Sequence, residues 1–415
     1  MKIINSILLL IALLGFVSAQ TTIQLASCAL KPLAGSTVSG YVRIISTETE
    51  GTFIVVVNAT GLTGKHGISV QQFADISSAT STGGIFSTGT GKSYGCPPTA
   101  SIFDGALGNI DATDASGNYS TTIAGGQFVL TGNNSLIGHS FAIHNAEDTC
   151  TEGSSGAIVS QCVLGIGNPS TAGYNASLVT NVANSLLTGL TGVCQLSAIG
   201  TNNVSGSVFF QQQTDGSIRI TSKIEGLNAT IAHGLHIHTY GDINPTVASQ
   251  TGGHWKLTTQ THNLPNDASR ELGDLGNICA YDASGNAYYN WTTNYFGNFG
   301  EINSTSTAAP SSFVGHSVVV HALRDNGTAN SFGDRIGQCV IGYVPNTKQP
   351  TDYFATPANI NFETTPQCAS ITFPVDSAAS SIILPTFAII FILLKISNRD
   401  QIPDPINGKL NNVFA

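Results

Sequence analysis

The chain has 415 residues, only 9% of them charged, with 15 Lys and Arg against 24 Asp and Glu for a net charge of −9. Acidity with so few cations speaks against a nucleic-acid binder, which needs basic surface to displace counterions from phosphates. The length is enough for two or more domains that each bury a core, and so low a charge content leaves solubility to another source.

The chain opens with MKIINSILLLIALLGFVSA, which has one lysine, an apolar run from Ile7 to Val17 and the small-residue ending Val17-Ser18-Ala19. Residues 1–19 read as a secretory signal peptide, the run being short for a span of about 20 residues. Export fits two further features. Glycosylation acceptors N-x-S/T stand at Asn58, Asn118, Asn133, Asn175, Asn203, Asn228, Asn290, Asn303 and Asn326, supplying polar surface. The eight cysteines suit a compartment where disulfides persist.

Beyond the leader the chain repeats itself. LGNIDATDASGN at 107–118 returns as LGNICAYDASGN at 275–286, IGHSFAIHNAED at 137–148 as VGHSVVVHALRD at 314–325, and QCVLGIG at 161 as QCVIGYV at 338. The offset grows from 168 to 177 residues, as expected if loops lengthen in the second copy. The copies span 22–168 and 190–345. In each, short β-branched runs such as GTFIVVV from Gly51, SIRIT from Ser217 and SVVV from Ser317 alternate with Gly, Asn, Asp and Ser clusters. That rhythm predicts an all-β fold, two tandem Greek-key barrels or sandwiches of antiparallel strands.

The second copy concentrates imidazoles. HGLHIHTYGD at 233–242 places His236 and His238 two residues apart, on one face of a strand, and His254, His262, Asp274 and His321 follow. One H-x-H is weak evidence; the ordered set has the number and type of donors that a copper or zinc centre needs.

In these motifs the second copy resembles the copper/zinc superoxide dismutases. HGLHIHTYGD is similar to the family's strand with two copper ligands, GGHW to the loop with its bridging histidine, and GDLGN at 273–277 to its zinc aspartate segment. VVVHALRD is similar to the strand with the fourth copper ligand, and GDRIGQCVIG at 333–342 to the last strand with its active-site arginine. The resemblance implies copper on His236, His238, His254 and His321, and zinc on His254, His262 and Asp274. It makes Arg335 the guide for a small anion and His254 the shared catalytic imidazole. Asp325 becomes the carboxylate linking ligands of the two metals. The implied substrate is superoxide, converted to oxygen and hydrogen peroxide. Nine residues after His262, where the family has a third zinc histidine, stands Glu271. Glutamate either completes the zinc set or points to solvent.

The family's loop cysteine is missing from 244–253. Because the first and last strands are neighbours in the family's barrel, the resemblance implies bridges Cys28–Cys162 and Cys194–Cys339. Cys96 and Cys150 are left to pair within the first copy, while Cys279 and Cys368 stay unassigned. The resemblance leaves association open between a homodimer and packing of the two domains on each other.

In the first copy the strand reads HGISVQQFAD, so Ser69 and Gln71 stand for His236 and His238, Ile85 for His254 and Ile158 for Arg335. Only His144 survives, matching His321. One imidazole cannot hold copper in this way, so the first copy is expected to be metal-free. The matched His66 and His233 read as structural.

After the second copy come a polar stalk, 346–381, and the apolar segment Ile382 to Leu394 followed by Lys395. The segment points to attachment to a membrane, through a lipid anchor (GPI type) or a single helix. The expected protein is an extracellular or cell-surface dismutase with one active domain. The competing expectations are a copper-sequestering surface glycoprotein with little turnover and a metal-free adhesion protein.

Overall fold

The computed structural model describes residues 23–47, 51–99, 101–114, 116–124, 129–132, 134–172, 191–257, 259–294 and 312–355. The leader, Asn133, Asn175, Asn303, Cys368, the stalk beyond 355 and the segment 382–394 lie outside the described residues. No helix among the described residues is long and apolar enough to cross a membrane.

The first copy forms β1 (Leu25–Pro32), β2 (Ser39–Ser46), β3 (Phe53–Thr60), β4 (Gly64–Gln71), β5 (Ala106–Ala112), β6 (Asn118–Ile123), β7 (Ser140–His144), β8 (Ile158–Val163) and β9 (Gly165–Ile166). The second forms β10 (Thr191–Ala198), β11 (Ser205–Gln212), β12 (Ile218–Glu225), β13 (Ala232–His238), β14 (Asp274–Cys279), β15 (Ala287–Thr293), β16 (Ser317–His321), β17 (Arg335–Val340) and β18 (Gly342–Val344). Strands run β5-β4-β7-β8-β1-β2-β3-β6 in one and β14-β13-β16-β17-β10-β11-β12-β15 in the other, the same order twice. All pairings between these strands are antiparallel, and each sheet curls into a nearly closed eight-strand barrel. The jumps from β4 to β7 and from β8 back to β1 give the Greek-key path.

Period-two patterning builds the barrels. Along β3 the side chains alternate inward and outward, with Phe53, Val55, Val57 and Ala59 buried. Along β12 Ile218, Ile220 and Ile224 are wholly buried, each inward aliphatic side chain contributing about 1.5–3 kcal/mol. Strand β1 is stapled to β8 by Cys28–Cys162 and β10 to β17 by Cys194–Cys339, with Cα atoms 5.6 and 5.4 Å apart. Cys96 pairs with Cys150, and Cys279 is also in a disulfide.

The two barrels form one compact unit with a shared core. Their seam is reciprocal: Ile166 N–H donates to Gly315 O at 2.8 Å, and Tyr343 N–H to Gly138 O at 2.8 Å. Ile166 and Tyr343, like Gly138 and Gly315, are 177 residues apart, so each barrel offers the other the same patch, as subunits do across a twofold axis. Both glycines have positive φ, 87° and 83°. A Cβ on Gly138 would lie 2.3 Å from Val314, and one on Gly315 would lie 2.2 Å from Ile137. Away from this axis the chain after β18 turns back, so that Tyr353 and Phe354 pack with Val193, Phe209 and Tyr288. Tyr353 also donates to Asp75 of the first barrel at 3.2 Å.

Substituting Gly315 with Val should therefore cost about 2–5 kcal/mol, strain at positive φ adding to overpacking of the seam. Gly35→Val meets nothing within 4 Å and should cost only the strain, about 1–3 kcal/mol. Denaturant midpoints of the two variants compare them, and equal losses would show that the seam is loose.

Candidate metal centre

All seven residues of β13 are buried, and the pairing register with β14 shifts between Gly234 and His236. This bulge separates two kinds of histidine. His233, before it, lies between the carbonyls of His321 at 2.8 Å and Asn228 at 3.2 Å. His66 of the first barrel lies between those of His144 and Thr63, at 2.8 and 3.0 Å. Both are structural. His236 and His238, after the bulge, face the site.

The loop carrying His254 is stitched across the end of β13, with Thr239 N–H donating to Gly253 O and Trp255 N–H to Ile237 O, both at 2.9 Å. Asp274 starts β14, and its Oδ2 accepts the backbone N–H of Asn263 at 2.9 Å and of Glu271 at 3.0 Å, shaping the loop that presents His262. His321 ends β16 opposite Arg335, which opens β17.

One nitrogen of each imidazole is anchored. His238 Nδ1–H donates to Gly252 O at 2.9 Å and His321 Nδ1–H to Gly333 O at 3.1 Å. His236 Nε2–H donates to Asp325 Oδ2 at 3.0 Å. His254 Nδ1 faces Asp274 Oδ1 and Glu271 Oε2, each at 3.0 Å. The opposite nitrogens converge, and the donor atoms of His236, His238, His254 and His321 lie within 4.8 Å of one another. His236 Nδ1 and His254 Nε2 are buried without a hydrogen-bond partner. His238 Nε2 and His321 Nε2 stand 3.3 Å apart; with both Nδ1 atoms donating, these are two bare lone pairs facing each other. Orphaned lone pairs of this kind are costly unless a cation receives them, so the four converging imidazoles fit copper.

The second donor group is harder. His262 Nδ1 lies 2.9 Å from Asp274 Oδ1 and 3.8 Å from Glu271 Oε2, and Lys256 Nζ holds the other Glu271 oxygen at 2.9 Å. Two imidazoles with carboxylates form a donor set that suits zinc. Asp325 ties the groups together, Oδ1 accepting from His262 Nε2 at 3.0 Å while Oδ2 serves His236.

Electrostatics separate the two groups. Burial lowers His236 to about 4 and His321 to about 2, and it holds His238 well below the ordinary value. Burial would also lower His262, but hydrogen bonds to Asp274 and Asp325 outweigh it and raise this histidine to about 10. Burial likewise opposes ionisation of Asp274, yet His254 and His262 bring it down to about 2. One position favours neutral rings; the other attracts positive charge.

Sequence reasoning missed three residues here. Phe332, partly buried, lies across the ligand rings. Lys256, two residues past His254, reaches back to Glu271. In the first barrel Tyr94 fills the position of His262 and hydrogen-bonds Asp148, the counterpart of Asp325.

The first barrel has kept the strand geometry, including the shift between Gly67 and Ser69, and has closed its hydrogen bonds. His144 Nδ1–H donates to Gly156 O at 3.1 Å, as His321 does to Gly333, but its Nε2 meets Ser69 Oγ at 2.8 Å and Gln71 Nε2–H donates to that oxygen at 2.6 Å. Neither ring nitrogen of His144 is an orphan.

The buried histidines set a pH dependence for chelator-treated protein. His139, His236 and His316 are lowered by burial to about 4, and His321 to about 2. Between those values and about 6.5 the unfolded chain binds more protons. Their contribution is thus present above pH 6.5 and lost on acidification, each by up to about 1.4 kcal/mol per pH unit. His262, raised to about 10, acts oppositely, its contribution complete below pH 6.5 and lost as pH rises through 10. Urea unfolding should find greatest stability near pH 6.5, and equal stability at pH 4.5 would contradict the buried neutral rings.

The copper/zinc superoxide dismutase (SODC) family profile matches residues 38–164 and 204–341. Extracellular superoxide dismutase [Cu-Zn] 2 of Dictyostelium discoideum is 27% identical over 404 residues, 91% of this chain and 89% of the relative. Extracellular superoxide dismutase [Cu-Zn] 3 of the same organism is 28% identical over 374 residues, 85% and 86% of the two chains. Superoxide dismutase [Cu-Zn] A of Xenopus laevis is 35% identical over 163 residues, 37% of this chain and 97% of its own. With both barrels matched, the chain belongs to the copper/zinc superoxide dismutase family.

Proposed function

We propose that the protein is an extracellular superoxide dismutase whose chemistry takes place in the second barrel alone. The observation that carries this reading is the pair of orphaned nitrogens, His236 Nδ1 and His254 Nε2, beside the facing Nε2 atoms of His238 and His321. Those four residues would hold copper. His254, His262, Asp274 and Glu271 would hold zinc, Glu271 taking the place of a third histidine. Bound copper supplies the one-electron chemistry by which one superoxide is oxidised to oxygen and the next reduced to peroxide, and zinc supplies fixed positive charge.

The chain's own residues do the rest. Arg335 draws the monoanion into an otherwise acidic protein. Nη1 donates to Ala248 O at 2.5 Å and Thr251 Oγ1 at 2.7 Å, and Nη2 to Gly252 O at 2.6 Å. The fork is fixed, and two of its five N–H donors stay available for an anion. His254, anchored at Nδ1, can take up and release a proton at Nε2, which peroxide formation requires. Asp325 keeps His236 and His262 in their tautomers.

Export is supported by the leader, the disulfides and the names of the relatives. Asn58, Asn118, Asn203, Asn228 and Asn326 are exposed, open to glycosylation. Membrane attachment rests on residues 382–394 alone.

The test is dismutase activity of the full chain loaded with copper and zinc. His236→Ala and His321→Ala should abolish turnover, whereas His144→Ala should leave it intact. Copper bound tightly without turnover would select the sequestering reading instead. Arg335→Ala should keep its copper but lower kcat/KM by about 10-fold or more and flatten its dependence on ionic strength; steady-state rates across a salt series measure this.

A further inference from the structure

Phe332 lies in the connection between β16 and β17, where sequence pattern gives it no role. Its ring centroid is 4.5 Å from that of His321, 4.8 Å from His236, 4.8 Å from His254 and 5.2 Å from His262. It thus touches rings assigned to copper only, to zinc only and to both. Three of the four contacts are edge-to-face, with interplanar angles of 65°, 70° and 66°, the favourable arrangement for aromatic pairs.

The backbone presents this ring rigidly. Leu323 N–H donates to Phe332 O at 2.9 Å and Ala322 N–H to Asp334 O at 2.7 Å, extending the hairpin past the named strands. Gly234 leaves the space it needs, since a Cβ there would come within 3.0 Å of Phe332 Cβ and of His236 Cε1. Gly67 in the first barrel faces Ser155 in the same way, at 2.7 Å. Ser155 and Phe332 are 177 residues apart, so the phenyl ring is present only where an imidazole cluster must be held.

We propose that Phe332 is the positioning residue of the metal centre, an aromatic wall that fixes the ring planes of His236, His254, His262 and His321 and so couples the two metal positions. Carbonyls and carboxylates anchor one nitrogen of His236, His254 and His321 but leave rotation about the anchoring bond, which a packed face removes; His262, already held at both nitrogens, takes the fourth edge of the same wall. The inference rests on the metal assignment above and concerns binding geometry rather than turnover.

The experiment uses the full chain reconstituted with copper and zinc, comparing Phe332→Ser, which installs the residue of the first barrel, with Phe332→Tyr, which keeps the ring. Copper retention against a chelator and the EPR spectrum of Cu(II) are read for each. Phe332→Ser should bind copper about 10- to 100-fold more weakly, the usual cost of losing a ligand's outer support, with altered hyperfine splitting and reduced zinc content. Phe332→Tyr should resemble the parent in all three. Wild-type affinity and spectrum in Phe332→Ser would overturn the proposal, as would equal loss in both variants, or a Phe332→Ser chain too unstable to load together with a Phe332→Tyr spectrum unlike the parent. Normal copper binding without dismutase activity would sink the functional reading and leave this one standing.

Discussion

Each of the four imidazoles of the candidate copper position, His236, His238, His254 and His321, has one nitrogen committed to the protein and the other left over, and that division makes a candidate metal site. Gly252 O, Gly333 O, Asp325 and Asp274 fix which nitrogen is which. Were the anchors missing, the rings would be free to pair with one another and no acceptors would converge. The anchors are themselves held: Asp325 N–H donates to Asn277 Oδ1, and Asn277 Nδ2–H donates to Asp325 O, both at 2.8 Å. Asp148 and Asn109 make the same pair in the first barrel, at 2.7 and 2.9 Å. The scaffold of the site has therefore outlasted its ligands there, because it also shapes the loop that closes the barrel.

The fold was legible because both copies announce themselves twice over, by period-two strands and by repeated turns such as DASGN. The clustering of the candidate donors was legible because period two places His236 and His238 on one face, and because the order of the remaining donors is that of a known family. Other features were hidden for physical reasons. Phe332 acts through packing, which leaves no spacing to read. Glu271 could be placed only by distance, since a carboxylate in a loop turns inward or outward at little cost in sequence terms. The seam glycines Gly138 and Gly315 lie in the repeated segments IGHS and VGHS, but repetition alone does not say which surface of a barrel meets another.

Matching the two barrels separates what the fold needs from what the chemistry needs. His139 and His316 hold matching places in the two barrels, each packed against a tilted aromatic ring, Phe86 at 4.0 Å and Trp255 at 4.7 Å. His66 and His233 persist between carbonyls. These four are structural by the criterion that they survive where no ligand set does. Ser69, Gln71, Tyr94 and Ser155 stand where His236, His238, His262 and Phe332 are, and Ser69, Gln71 and Tyr94 make hydrogen bonds at those places. Loss of the ligands left buried polar positions that had to be satisfied from within the protein.

The degenerate barrel still has a physical task. Its patch around Gly138 and Ile166 covers the patch around Gly315 and Tyr343, and His316, next to Gly315, donates through Nδ1 to His238 O at 3.1 Å. The seam thus adjoins the backbone that carries a ring of the candidate copper position. A separate subunit would cover it only above its dissociation constant, whereas a tethered copy acts at an effective concentration of about millimolar. Covalent linkage makes the pairing independent of protein concentration. The first barrel can then lack every donor but one without the second losing its support, since the contacts that join the barrels, Ile166 to Gly315, Tyr343 to Gly138, Asn168 to Asp242 and Ile76 to Gln195, use none of the candidate ligands.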